Sequence, residues 1–211
     1  MKESSKKILL SFLEFLVVSI LSLTVPLVLV IDIKIIGHGL SEYSITEFAQ
    51  ETLLLLTVFL SIFHACRDRE KRGFFILVAG FFLTLFVREL DFVFDELLFH
   101  GAWIYPAVGV VLAALILAFC NRHSIIEPLA KFVHTRPYYF IMLGLVIVLA
   151  FSRTFGSGNQ LWEYVMGDDY KHLFKTAIQE GLELLGYILI FYGACMFSRQ
   201  ENNEPNLNYS G

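Results

Sequence analysis

The chain has 211 residues, of which 56% are hydrophobic and 17% charged, with 21 Phe and a formal net charge of −4. A soluble domain of this length cannot hide so much apolar surface, whereas a lipid bilayer solvates it, so the bilayer is the expected partner. With a mean hydropathy of +0.66 and no basic stripe interleaved with aromatics, the sequence gives nucleic acid no binding surface.

The N-terminus reads Met1-Lys2-Glu3-Ser4-Ser5-Lys6-Lys7 and then turns apolar from 8 to 31. That run of about 24 residues is too long for the roughly 7–15 of a signal-peptide core, and no A-x-A-like cleavage site follows. It reads as a retained first span, with Pro26 expected to kink it, as bilayer helices tolerate. Further apolar runs cover 52–66, 73–87, 102–120, 138–152 and 184–197, each bounded by charges, Gly or Pro. None alternates with period two, which argues against a β-barrel. The expected fold is all-α, a polytopic six-transmembrane-helix bundle over residues 1–199. Its spans lie near 8–31, 47–66, 73–95, 102–120, 136–155 and 172–198, and 200–211 form a flexible cytoplasmic tail. In the longest outer loop, 156–171, Gly156, Gly158 and Gly167 punctuate the chain, and Asp168 or Asp169 is expected to cap the last helix. Cys66, Cys120 and Cys195 are too few and too scattered for a disulfide framework or a zinc site and read as small packing residues.

Lys and Arg set the orientation. Eleven of the sixteen fall on the side holding the N-terminal tail, 67–72, 122–136 and Arg199; five (Lys34, Arg88, Arg153, Lys171, Lys175) fall on the other. Both termini are therefore expected in the cytoplasm of a plasma membrane or bacterial inner membrane. Trp103 and Trp162, with Tyr105 and Tyr164, then fall at the outer interface, where an aromatic belt belongs.

Four of the six runs hold only about 14–15 apolar residues, roughly 21–22 Å of helix against a hydrocarbon core of about 30 Å. Basic residues pin three of them at the cytoplasmic end, so the missing length must come from the outer ends. Those ends carry Glu47 and Glu51, Arg88-Glu89-Leu90-Asp91, Arg153, and Glu180 with Glu183. Each charge carried to the bilayer centre would cost about 2.5–3.5 kcal/mol, so such groups must face one another or water.

Helical spacing favours a shared site. Glu47 and Glu51 are four apart, and Arg88, Asp91 and Asp95 share a face. His172, Thr176, Glu180, Glu183 and Tyr187 form a polar stripe on an apolar helix, which must face protein rather than lipid. Glu89 sits about 100° from Arg88 and faces another neighbour. Six acids (Glu47, Glu51, Glu89, Asp91, Glu180, Glu183) meet two charge-pairing arginines, Arg88 and Arg153. Some are then protonated, or a cation joins them, or water fills the site.

Three functions compete. The first is binding or conduction of a cation or proton at Glu47, Glu51, Glu89, Asp91, Asp95, His172, Glu180 and Glu183, within a single chain or a homo-oligomer. His100 could add a nitrogen; the metal, if any, is undefined, and no Glu-x-x-His di-iron motif or other cofactor signature occurs. The second is a sensor or assembly subunit acting through a partner membrane protein, with charges that only fix register: Arg88 to Asp91 and Glu183, Arg153 to Glu180 or Glu51. The third is an enzyme acting on a lipid or lipid-linked substrate. No nucleophile elbow, His-Glu-x-x-His or glycine-rich phosphate loop supports it, and no catalytic residue is assigned. His64 is expected at the inner interface, and Gly181 and Gly186 are expected to let helices approach closely.

Overall fold

A computed structural model describes residues 2–36, 44–156, 160–167 and 172–203. The described chain is all-helical. Helix α1 (Lys2–Val30) continues as a π-helical segment, Ile31–Ile36; α2 is Ile45–Arg67, α3 Arg72–Glu89, α4 Asp91–Leu97 and α5 Ile104–Cys120. A short turn, Arg122–Ser124, leads to α6 (Ile126–Phe132); α7 (Arg136–Val146) passes through a second π-helical segment, Ile147–Ser152, into α8 (Arg153–Gly156). Helices α9 (Gln160–Met166) and α10 (His172–Asn203) complete the chain.

Four helical stretches are long and apolar enough to cross a membrane: Ser4–Ile35, Ile45–Arg67, Arg136–Gly156 and His172–Asn202. The count reaches six if each of two bent pairs is one span: α3 with α4, bent by 53°, and α5 with the segment Arg122–Phe132, bent by 95°. The described chain is thus helical with four to six candidate membrane spans.

The helices run on through the charges, as the short apolar runs require. Helix α2 includes Glu47 and Glu51, and α10, with 32 residues, spans about 48 Å and includes Glu180 and Glu183. The third expected span, 73–95, is instead broken. Leu90 leaves helical geometry (φ −84°, ψ 16°), its N–H shared between the carbonyls of Phe86 and Arg88, and the chain turns at that point. Pro26 lies inside a continuous helix, and the irregularity of this first span falls later, at Ile31–Ile36. The tail begins as helix rather than as a flexible segment: α10 continues to Asn203 because Lys71 pairs with Glu201 and Arg67 donates to Asn202 at 2.7 Å. Residues 204–211 lie outside the described residues.

The chain divides into two compact units. The first comprises Met1–Gln50 and Gly144–Leu189. Here α10 packs without side chains in the way. A Cβ on Gly181 would stand 3.0 Å from Leu29 of α1, and one on Gly186 would stand 2.4 Å from Val148 and 2.8 Å from the Gly144 carbonyl. These two glycines permit the approach expected of them. Trp162 donates its indole N–H to the Phe155 carbonyl at 2.8 Å, tying α9 to α8.

The second unit comprises Glu51–Leu143 and Ile190–Gly211. Its core is aromatic: Phe74 and Phe75 of α3 meet Phe132 of α6 and Phe197 of α10, with ring centroids 5.0–6.2 Å apart. The N-terminus of α3 is fixed by Ser124, whose hydroxyl accepts from the Gly73 N–H at 2.8 Å. His64, expected at the inner interface, is buried within the protein. Its Nε2 lies 2.8 Å from Ser198 Oγ and its ring stacks on Phe75, so the continued α10 covers it.

Candidate functional site

Two buried polar residues of the first unit, Gln50 and Ser152, contact α10, which itself contributes the buried Glu183. Along the expected stripe burial deepens steadily: His172 is exposed, Thr176 and Glu180 are half-buried, and Glu183 and Tyr187 are 2% and 1% exposed. His172 and Thr176 satisfy each other locally, 3.2 Å apart.

Glu183 is the centre. Ser152 Oγ donates to its Oε1 at 2.5 Å, and Gln179 Nε2 stands 3.5 Å from the same oxygen. Ser152, the last residue of the π-helical segment, is fully buried. Arg153, next in the chain, supplies the nearby positive charge: its Nη2 is 3.9 Å from Glu183 Oε1, too far for a hydrogen bond. That Nη2 is itself enclosed and has no hydrogen-bond partner among the described residues. The carboxylate is therefore solvated by a hydroxyl and an amide, and its cation is held one step away.

One turn earlier, Glu180 accepts from Gln50 Nε2 at 3.0 Å, and the same amide reaches the Glu180 carbonyl at 3.2 Å. Gln50, 1% exposed on α2, thus binds both the side chain and the backbone of α10. The start of α2 is capped by Asp32. Its carboxylate, 1% exposed, accepts from the backbone N–H groups of Ile45 and Thr46, both at 2.9 Å, and from the Thr46 hydroxyl. A carboxylate at a helix N-terminus meets unpaired N–H donors and the positive end of the helix dipole, which compensates its charge without a cation.

Of the residues expected to share a site, the first unit joins Glu180 and Glu183 on α10 with Arg153. Arg153 is near Glu183. Glu47, also in this unit, donates its backbone N–H to Ser44 Oγ at 3.2 Å, opening α2. Glu51 is half-buried on the α2 portion belonging to the second unit. Within the second unit Arg88 pairs with its neighbour Glu89 at 3.3 Å, and Asp91 is exposed. Asp95 closes a local loop, accepting from the Gly101 N–H at 2.8 Å and lying 2.6 Å from His100 Nδ1. His100 is thereby occupied by Asp95. Asp168 and Asp169 lie outside the described residues.

Asp32, Thr46, Gln50 and Ser152 complete the buried network and carry no motif. Asp32 and Ser152 both sit on π-helical segments, which shift the phase of a helix face and recur at functional sites. Among the described residues no three or more His, Cys, Asp or Glu side chains are grouped to hold a metal ion. The chain matches no protein-family model, no curated protein and no solved structure.

Proposed function

We propose that the chain is a six-span bundle of the plasma membrane or a bacterial inner membrane, with both termini cytoplasmic, that binds a proton at Glu183 and conducts it. The observation that carries this reading is the burial of Glu183 beside a cation that makes no hydrogen bond to it. An ionised carboxylate in such a place is costly unless fully paired, and taking up a proton removes the charge. The graded stripe from His172 through Thr176 and Glu180 supplies polar groups along one face of α10 toward it. A proton suits the donor set better than a hard cation, which needs several converging oxygens. The burial of Ser152 and Glu183 leaves no room for a lipid substrate at either atom, which weighs against the enzyme reading.

In proteoliposomes holding a pH-sensitive dye, wild-type protein should pass protons under an imposed potential, and Glu183→Gln should cut the flux at least tenfold. Wild-type flux equal to that of empty liposomes would refute conduction. A second reading, an assembly subunit whose polar groups only hold helices together, is favoured by Asp32 and Gln50, which are both spent on helix ends and backbone. It predicts no flux and a partner membrane protein that co-purifies with the full chain.

A further inference from the structure

The second unit contains an apolar cavity of about 480 Å³, within the range of about 300–1,000 Å³ common for small-molecule sites. It lies along α3 from Arg72 to Leu83, with α2 and α5 as its other walls. These twelve residues of helix, end to end, measure about 16 Å, close to half of the roughly 30 Å hydrocarbon core. The space exists because the meeting residues are small. Ala79 and Gly80 of α3 face Ala113 and Ala114 of α5, and a Cβ on Gly80 would stand 2.3 Å from that of Ala114.

Arg72 is the one charged residue in this lining. It is the first residue of α3, so the positive charge stands at one end of the apolar groove. Its Nε donates to the Ala65 carbonyl at 3.0 Å, which fixes the plane of the guanidinium. Its two terminal nitrogens make no hydrogen bond or ion pair among the described residues. The cations beside it are differently placed: Lys71 is engaged by Glu201 and Arg67 by Asn202. A fixed guanidinium fork, its terminal donors open among the described residues, at one end of an apolar slot one leaflet deep matches a phosphate ester carrying a long hydrocarbon chain.

We propose that this groove holds one acyl chain of an anionic phospholipid, with the phosphate bound by Arg72. The proposal is independent of proton binding at Glu183. The full chain is reconstituted into phosphatidylcholine bilayers containing trace spin-labelled phosphatidylglycerol or spin-labelled phosphatidylcholine, and the motionally restricted fraction of each is measured. Wild-type protein should restrict phosphatidylglycerol preferentially. Arg72→Gln should reduce that preference about fivefold, the effect of one basic residue near an anionic surface. Ala113→Phe, at an exposed position of the lining, should displace the chain and lower restriction while leaving the detergent-unfolding midpoint unchanged. Ile116→Phe, exposed on α5 outside the groove, should have no effect. No preference in the wild type would overturn the proposal, as would full preference retained in both Arg72→Gln and Ala113→Phe.

Discussion

Ser152 and Arg153 are adjacent in sequence and both approach Glu183, yet the geometry assigns them unequal roles. The Ser152 hydroxyl donates directly at 2.5 Å, with both groups buried. Hydrogen bonds to charged groups contribute about 1.5–3 kcal/mol. Arg153 stands at 3.9 Å, makes no hydrogen bond to the carboxylate, and its side chain is 43% exposed. Although Nη2 is enclosed, much of the rest of the side chain is solvated, which screens its charge, and about 1 kcal/mol or less is expected. The test is a pair of double-mutant cycles, Ser152→Ala with Glu183→Ala and Arg153→Gln with Glu183→Ala. Stability is read from reversible unfolding in mixed micelles of rising dodecyl sulfate fraction, followed by Trp fluorescence. The Ser152 cycle should give a coupling of about 1.5–3 kcal/mol and the Arg153 cycle about 1 kcal/mol or less. Glu183→Gln, which keeps an acceptor for Ser152, should be milder than Glu183→Ala. A larger coupling to Arg153 than to Ser152 would refute the reasoning, because Glu183 would then be held chiefly as half of an ion pair.

Two further outcomes can be checked. Gly186→Ala forces a methyl against the Gly144 carbonyl and should destabilise by about 1–3 kcal/mol, whereas Gly109→Ala, with nothing within 4 Å, should be neutral or slightly stabilising in the same unfolding assay. In a background with Cys66, Cys120 and Cys195 replaced by Ser, cysteines introduced at Lys6 and Gln200 should react with an impermeant thiol reagent only after permeabilisation, and one at Glu163 should react in intact cells; labelling of all three in intact cells would contradict the proposed orientation.

The helix lengths were readable because the bilayer supplies an external ruler. Apolar runs of 14–15 residues cannot span about 30 Å, so α2 and α10 had to extend over Glu47, Glu51, Glu180 and Glu183, and they do. The break at Leu90 was not readable, since no Gly or Pro marks it and the turn depends on how α3 and α4 end. Counting charges also hid half of the network. Thr46, Gln50 and Ser152 are neutral and so entered no balance, and Asp32, outside the six acids set against the two arginines, caps α2. The π-helical segments compound this, because a 3.6-residue period loses its phase across them and cannot put Asp32 or Ser152 on the right face. The cover of His64 was also not readable: Ser198 lies on a helix end held by Lys71 and Arg67 rather than by apolar periodicity.

Infrared difference spectroscopy of the protein in lipid, titrated across pH, tests proton binding at Glu183 most directly. The wild type should show the carbonyl stretch of a buried carboxylic acid that grows as pH falls and vanishes as it rises, and Glu183→Gln, folded to the same unfolding midpoint, should lack it. Identical carbonyl spectra in the two proteins at every pH would contradict the account.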